Sequence, residues 1–484
     1  MIGRRFLGSE LVQFMPFYVL VVFLTVTFLL GGGARPDVPN LIFLRPISVI
    51  CLTYGAWGLK WNDVQRYGFL FAIALAIVAM VVVQLIPLPP ALWHKLPGRA
   101  LIVDIDHAAG LGEIWRPVSM EPLATWNALF ALIGPLATLV LAAQIRREHR
   151  LALLPVLTIV GLLSGLLGFL QILGPADGPL YFYSVTNNGA AVGLFANRNH
   201  QAILLDCLFP MLAVLASVGV NTLEQRNLRL LVGSAVGLFL VPLILVTGSR
   251  AGLFIGVLAI LLALSLYQRP QIKIPSRRVA KPVSKLYYAA PIIIVFMGAI
   301  AVLVSRAEAI QRLFQTDELH GERLMMWKVG WGLLWKYFPI GPGVGTIVPI
   351  YQIDEGRDVL ETTYANHLHN DWLELIACGG VSAAILLIIA VIAYLRQTGL
   401  VMMRPTKDGR EVLFARLGAI LILVLALGSV GDYPLRTPAL ECVLVIAAVW
   451  LTDGRKAFLR VRDVRVLGGW SDEGGSGSGA LALD

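Results

Sequence analysis

Long runs of apolar residues constrain this chain more than any other feature. A helix needs about 20 mostly apolar residues to cross a bilayer, and about twelve such runs recur along the sequence. The runs are residues 11–30, 41–59, 67–88, 123–143, 151–173, 201–220, 230–246, 251–267, 286–304, 373–395, 413–430 and 438–451. Only 14% of the chain is charged, whereas a soluble domain has about 25%. We therefore predict an all-α polytopic membrane protein of about 12 transmembrane helices.

The basic residues predict how these helices are oriented. A net charge of +9 does not indicate nucleic-acid binding here, because the Lys and Arg residues form short clusters between apolar runs. With about twelve spans, every cluster falls on one face, and the positive-inside rule makes that face cytoplasmic. The clusters are residues 4–5, 60–66, 146–150, 226–229, 269–285, 396–410 and 455–465. Both termini are expected on the cytoplasmic side.

The chain divides into four predicted segments. Residues 1–304 hold nine helices and an outer loop at 89–122, and residues 305–372 form a large outer loop. The last three helices follow at 373–452, and residues 453–484 form a basic tail with a disordered, linker-like Gly/Ser-rich end. In the large loop, Glu322–Phe338 places apolar side chains at helical spacing: Leu324, Trp327, Trp331, Leu334 and Phe338. This pattern predicts an amphipathic helix at the membrane surface; a helix packed across the outer mouth of the bundle fits it equally well.

The first polar motif suited to chemistry is Asn197-Arg198-Asn199, at the predicted start of the sixth span. An arginine between two amides at a helix start, with exposed backbone N–H groups, suits a phosphate. Ordinary helix capping, with Arg198 reaching lipid headgroups, is the alternative interpretation.

The second motif, TGSRAG at residues 247–252, connects the seventh and eighth predicted spans. An arginine at the membrane boundary is costly unless it is paired or functional. Arg250 therefore suits a second phosphate-binding position, and contact with lipid phosphate is the structural alternative.

The third motif, NHLHNDWLE at residues 366–374, lies immediately before the tenth predicted span. Of the 7 histidines, only His149 falls on the predicted cytoplasmic side, which favours a general base on the outer face. His367 and His369, each close to an asparagine, suit a base with an orienting partner. The alternatives are structural histidines, or half of a metal site completed by Asp104-Ile-Asp106-His107.

At these motifs the chain resembles the O-antigen ligase and polymerase superfamily of membrane glycosyltransferases. The similarity covers most of the chain from Gln84 onward, in segments that follow the family order. The segments are QLIPLPPALWHKLPG, WRPVSMEPLATW, GLFANRNHQA, TGSRAGL, GERLMMWKVGWGLLWKYFPIGPGVGT and HLHNDWLELIACGGVSAA. The ligase signature of a His followed by Asn, Ser or Gln, with a Gly ten residues later, is met by His369, Asn370 and Gly380.

The resemblance implies a GT-C-like fold in the bacterial inner membrane and an active site that faces the periplasm. It implies a metal-independent glycosyltransferase without a cofactor, which moves a glycan from undecaprenyl diphosphate to a hydroxyl of another glycan or of lipid A–core. By motif, His369 takes the role of general base, and Arg198 and Arg250 bind the diphosphate. The supporting residues are Asn197, Asn199, His367, Asn370 and Glu374.

Three activities occur in this superfamily: ligation to lipid A–core, polymerisation of lipid-linked repeat units, and transfer to protein Ser or Thr. The last usually brings a larger carboxy-terminal periplasmic region. Between the other two, the extended loop at residues 89–122 favours polymerase, because it departs from compact ligases.

A lipid-linked glycan flippase or polyprenyl-phosphate carrier is the competing class. Its hallmark is ionisable residues at mid-span. The exceptions to the apolar pattern, Arg45, Asp206, Arg416 and Glu441, each lie within a turn or two of a predicted span end. The enzyme interpretation is therefore favoured, and it predicts that Arg198, Arg250 and His369 line one outward-facing cavity.

Overall fold

The apolar runs form a bundle of long helices, which are joined by short turns and by several longer loops. The computed structural model describes residues 2–270, 318–356, 365–403 and 409–468, without side chains at 2–13, 318–322 and 455–468. The helices are α1 (Ile2–Leu30), α2 (Leu41–Gly58), α3 (Trp61–Arg66), α4 (Gly68–Gln84), α5 (Pro90–Trp93), α6 (Ala100–Ala108), α7 (Pro122–Ala131), α8 (Ile133–Gln144), α9 (Arg147–Arg150), α10 (Leu153–Leu173), α11 (Arg198–Ser217), α12 (Leu223–Thr247), α13 (Arg250–Leu266), α14 (Glu318–Tyr337), α15 (Ile347–Asp354), α16 (Asp371–Met402), α17 (Arg410–Gly431) and α18 (Pro438–Gly468). A 3-10 turn covers Pro434–Arg436, and β1 (Pro87–Leu88) pairs antiparallel with β2 (Arg116–Pro117).

Each predicted span that lies in the described residues falls on one or two of these helices. Seven helical segments there are long and apolar enough to cross a membrane, and three shorter apolar ones accompany them at Phe14–Leu30, Gly68–Gln84 and Arg250–Leu266. The all-α polytopic membrane fold is confirmed. The predicted ninth span at 286–304 lies outside the described residues, as do the basic residues from 273 to 285 and the Gly/Ser-rich end from 469.

The course of the helices divides the bundle into two faces. Four helices begin on one face, namely α11, α13, α16 and α18, and α17 ends on the same face. We call it the site face. Charged residues lie together at the opposite ends of the helices. There Asp453 of α18 accepts a hydrogen bond from Tyr67 (2.7 Å) and lies 3.2 Å from the buried Arg150 and 3.8 Å from Arg147. We call this second surface the basic face, because it carries basic clusters from the sequence pattern.

The loops of the site face are joined by a fully buried arginine. Arg99, at the start of α6, donates hydrogen bonds to the carbonyl oxygens of Val118 (2.8 Å) and Gly341 (3.0 Å), and its guanidinium packs over the rings of Trp93 and Tyr337. Burial lowers the pKa of Arg99 to about 10, so the side chain stays charged at neutral pH. It therefore fastens the 89–122 loop to the segment that follows α14.

We expect Arg99→Ala to lower the free energy of unfolding by on the order of 2–4 kcal/mol, because two buried carbonyl groups lose their donor and a cavity remains. Thermal unfolding of the detergent-solubilised protein measures this change. The matched control is Arg35→Ala, which removes the ion pair of a partly exposed arginine with the exposed Asp37 and should cost about 1 kcal/mol or less. Equal losses in the two variants would contradict the fastening role.

The predicted amphipathic helix is α14, which has an exposed side and a packed side. Leu324, Trp331 and the adjoining Phe338 of the predicted apolar stripe are exposed. The other side packs Leu333 and Tyr337 into a buried cluster on the site face. α14 thus packs against the start of α16 on one side, as the second interpretation of the pattern predicts. Its other side exposes an apolar stripe, and contact of that stripe with the membrane surface stays a prediction.

Candidate active site

A buried carboxylate, that of Asp432, lies at the centre of the site face. It follows α17 directly and is 2% exposed. Its Oδ1 accepts a hydrogen bond from Asn197 (3.3 Å), and its Oδ2 accepts one from Asn199. The same carboxylate lies 3.4 Å from Nε2 of His200 and 3.5 Å from Nδ1 of His369. Three separate segments of the chain, at 197–200, 369 and 432, therefore meet at one anionic group.

The surroundings keep Asp432 ionised. Burial opposes ionisation, but hydrogen bonds and charge interactions with His200 and His369 outweigh it and hold the pKa of Asp432 well below its ordinary value. Arg323 of α14 adds a further cation at 3.7 Å from Oδ2. The site thus has a fixed negative charge that can orient an imidazole and stabilise its protonated form.

The backbone of His369 is held in an unusual conformation. Its φ is 50°, in the left-handed region, which costs a residue other than glycine about 1–3 kcal/mol. Asn370 caps α16 by accepting a hydrogen bond from the Leu373 N–H (3.0 Å), which fixes the chain immediately after His369. The His369 side chain is 23% exposed, so its ring contacts Asp432 and is still reachable from outside.

The start of α11 carries the first sequence motif, and it is capped. The backbone N–H of Arg198 donates to the Asn187 side chain (3.0 Å), and that of Asn199 donates to the Asn197 side chain (2.8 Å). The expectation of exposed backbone N–H groups at these two residues is therefore wrong, because neighbouring asparagine side chains occupy them. The Arg198 side chain is partly buried and stands in the sequence between the two asparagines that bind Asp432.

The local geometry accounts for the small residues of the second motif. Gly248 ends α12 with φ 66°, a conformation that suits glycine, and Ser249 caps α13 by accepting from the Gly252 N–H (3.1 Å). Gly252 packs where an added Cβ would meet Ala202, one turn into α11. Arg250 thus begins the helix beside α11, on the same face as Arg198.

A second buried network lies next to Asp432. His367 Nδ1 is 2.9 Å from the carboxylate of Glu374, which also accepts the Leu368 N–H (3.0 Å). Arg436 bridges this carboxylate (3.3 Å) and that of Asp371 (3.0 Å). Burial opposes the charge of Arg436, but Glu374 and Asp371 outweigh it and raise its pKa. The network fixes the His367 ring and locks the start of α16 to the turn after α17.

Gly380 breaks α16 nine residues after its start. Its φ of 61° and ψ of −148° are not helical, and an added Cβ would collide with the carbonyl group of Pro339. The Val381 N–H donates to that Pro339 carbonyl (2.8 Å) in place of a helical partner. The glycine of the His-Asn-Gly signature thus lets the segment after α14 pack against α16, below the histidine site.

The acidic segment that the metal-site alternative requires, residues 104–107, makes other contacts. Asp106 accepts two hydrogen bonds from Arg116 (2.9 and 2.5 Å), and His107 packs edge-on against His94. Within the described ranges, no group of three or more His, Cys, Asp or Glu side chains is arranged to hold a metal ion. Residues 104–107 therefore do not complete a ligand set with His367 and His369.

The structure brings most of the predicted site residues together. Asn197, Asn199 and His369 meet at Asp432, and His367 meets Glu374, as the preceding distances show. Arg198 stands between the two asparagines, and Arg250 begins the adjacent helix. The residues that sequence reasoning missed are His200, Arg323, Asp371, Asp432, Tyr433 and Arg436. One signal was available: the six-residue stretch GDYPLR between the last two predicted spans holds two charged groups in a very short loop.

These observations define a polytopic membrane protein with a polar, histidine-containing site at one end of its helical bundle. Comparison with known families identifies the class further. Residues 235–388, about a third of the 484-residue chain, match the family model for O-antigen ligase. This match confirms the resemblance of the chain to the O-antigen ligase and polymerase superfamily. The matched segment contains Arg250, Arg323, His369 and Glu374, whereas Arg198 and Asp432 lie outside it.

A search of curated proteins found no match to this chain. The family nonetheless supports a function of the O-antigen ligase or polymerase type, that of a glycosyltransferase-like membrane enzyme. It implies a lipid-linked glycan and an acceptor as substrates.

Proposed function

We propose that this protein transfers a glycan from an undecaprenyl-diphosphate-linked donor to an acceptor hydroxyl, in the polymerisation or ligation of O-antigen or exopolysaccharide. His369 is the general base, and Arg198 and Arg250 bind the diphosphate. The observation that carries the proposal is the pairing of a partly exposed histidine with a buried, ionised carboxylate at a face where two arginine-bearing helices begin.

The reaction needs one proton acceptor and stabilisation of one leaving group. The acceptor oxygen forms a bond to the anomeric carbon of the donor sugar, and the bond from that carbon to the diphosphate oxygen breaks. The hydroxyl proton goes to the imidazole of His369, and Asp432 stabilises the imidazolium that forms. The bond electrons leave with undecaprenyl diphosphate, whose added charge is neutralised by arginines, which remain charged and bind phosphate oxygens in pairs.

The charge distribution supports a periplasmic site in the inner membrane. Arg66, Arg147 and Arg150 cluster with Asp453 at the end of the bundle opposite to His369. By the positive-inside rule, this basic face is cytoplasmic, and the site face is then periplasmic. A lipid-linked donor already carries an activated bond, so a site on that side needs no nucleotide.

The proposal is tested with purified protein, an undecaprenyl-diphosphate-linked oligosaccharide and EDTA, with and without lipid A–core. We expect free undecaprenyl diphosphate and a longer glycan product by mass spectrometry. A ladder of longer lipid-linked glycans without lipid A–core identifies a polymerase, which the extended 89–122 loop favours. Product only with lipid A–core identifies a ligase. Absence of turnover with both acceptors, or activity that EDTA abolishes, would contradict the proposal.

We expect Arg250→Ala to raise the KM for the lipid-linked donor by about tenfold, because one charge-assisted contact to the diphosphate is lost. Initial rates at varied donor concentration measure this effect. The matched control is Arg269→Ala, an exposed arginine just past the other end of α13, which should leave KM unchanged. An equal KM in both variants would remove Arg250 from the diphosphate site.

One observation favours the transporter alternative. Asp206 is the ninth residue of the 20-residue helix α11 and is fully buried. It lies more than two turns inside α11, because the helix begins at Arg198, before the predicted span. Both carboxylate oxygens lack a hydrogen-bond partner among the described residues, as in a site that carries protons. In proteoliposomes, a transporter would move the lipid-linked glycan between leaflets without changing its mass.

A further inference from the structure

A tyrosine that the proposed chemistry does not use lies between three histidines. Tyr433 follows Asp432 and is partly buried. Its ring centroid is 5.0 Å from that of His200, 4.4 Å from that of His367 and 4.9 Å from that of His369. Two of these contacts are edge-on and one is tilted, which are favourable geometries for aromatic rings. The phenol ring thus contacts every imidazole of the site.

The polar groups of Tyr433 attach it to the same elements. Its backbone N–H donates to Asp432 Oδ1 (2.8 Å), which helps to hold the carboxylate that faces His369. Its hydroxyl interacts with the side chains of Asn366 and Asn197. These two asparagines belong to the histidine segment and to the cap of α11. Tyr433 therefore joins the three segments of the site from the inside.

The imidazoles need such support because their own hydrogen bonds are few. Nδ1 of His369 and both ring nitrogens of His200 are buried and lack a partner at good hydrogen-bond geometry. Their contacts to Asp432, at 3.4 and 3.5 Å, are long. An imidazole with long polar contacts can rotate about χ2 unless its faces and edges are packed, and Tyr433 supplies that packing.

We propose that Tyr433 is a positioning residue that holds the imidazoles of His200 and His369 in the orientation required for proton transfer. This inference rests on the proposed function, because it assigns a role toward the same base. Tyr433 acts through its ring, and its hydroxyl contributes less. It does not contact the reacting atoms and is not a catalytic residue.

The test compares Tyr433→Phe, which keeps the ring, with Tyr433→Leu, which removes it. We expect the phenylalanine variant to keep kcat within about threefold of wild type and the leucine variant to lose about tenfold. The pH–rate profile should change only in the leucine variant, because a loosened imidazole no longer faces the Asp432 carboxylate. The charged groups next to Tyr433, Asp432 and Glu374, are unchanged in both variants.

A second readout does not depend on glycan transfer. Diethyl pyrocarbonate modifies accessible imidazoles, and mass spectrometry of the peptides gives a rate for each histidine. In Tyr433→Leu we expect faster modification at His200 and His369, with the exposed His94 as the internal reference. Tyr394→Leu, which removes a partly buried tyrosine towards the far end of α16, is the matched control and should leave the histidine rates and the pH profile unchanged.

The outcomes separate the inference from the proposed function. Equal activity and equal modification rates in the phenylalanine and leucine variants would overturn the positioning role, even if the protein transfers glycans. Faster modification in the leucine variant of a protein that transfers no glycan would support the packing role and reject the proposed function. Equal loss in the phenylalanine variant would assign the role to the hydroxyl and overturn the inference as stated.

Discussion

Replacement of His369 with alanine is expected to lower kcat for glycan transfer by about 10²- to 10⁴-fold, the range that general-base catalysis contributes. The reason is that the acceptor hydroxyl must lose its proton as the new bond forms. Of the histidines at Asp432, His200 is 1% exposed, whereas the side chain of His369 is 23% exposed. The KM for the donor should change little, because the proposed function assigns diphosphate binding to arginines on other helices.

The control for this variant is His94→Ala, an exposed histidine of the 89–122 loop that contacts His107 and not Asp432. It should retain full turnover. Steady-state rates over pH 5 to 9, with folding checked by size-exclusion chromatography, give both constants. Undiminished turnover in His369→Ala would reject the base assignment. A loss in His367→Ala that exceeds the loss in His369→Ala would transfer the role to the histidine held by Glu374.

The helices could be predicted from the sequence because each depends on a local property. A run of apolar residues long enough to cross a bilayer satisfies its backbone hydrogen bonds only as a helix. Gly248 and Ser249 between α12 and α13 act over one turn of the chain. Such signals are visible in a single sequence, whereas the break at Gly380 depends on its contact with Pro339, about 40 residues earlier.

The candidate site was only half predictable, and sequence separation explains the missing half. His369, Asn370 and Glu374 lie within one short motif, so their chemistry could be read together. Asp432 is 63 residues beyond His369 in sequence and approaches it only because α16 begins and α17 ends on the same face. No local pattern marks that approach.

Helix capping was the other source of error. Asparagines at a helix start suit both a bound phosphate and the backbone itself, and the sequence does not separate these roles. In the structure Asn187 and Asn197 satisfy the first N–H groups of α11, so the amide side chains serve the fold. Asn199 caps nothing and binds Asp432 instead. In the proposed function, anion binding at this helix start therefore depends on the guanidinium of Arg198 more than on the backbone.

Asp432→Asn is expected to lower kcat by about 10²-fold, because the imidazolium of His369 loses the carboxylate that stabilises it. The acidic limb of the pH–rate profile should move to lower pH, since removal of a negative charge disfavours the protonated ring.

Stability should also change with pH. A carboxyl group whose folded pKa is depressed stabilises the protein above its ordinary value of 3.8 and loses that contribution as pH falls through the depressed value. The wild type should therefore exceed the variant in free energy of unfolding at neutral pH, and the difference should shrink in strong acid.

The matched control is Asp453→Asn, which neutralises a carboxylate of similar burial on the basic face. Asp453 is 7% exposed and pairs with Arg150 at 3.2 Å, so its loss should destabilise the protein without altering the pH–rate profile of the folded fraction. Unfolding in detergent and initial rates normalised to folded protein separate the two effects. If both variants lose stability and neither changes the profile, Asp432 is a structural carboxylate. If the pH–rate profile shifts only in Asp432→Asn, Asp432 acts on the His369 base. The comparison is direct because both substitutions neutralise one buried carboxylate, on opposite faces of the bundle.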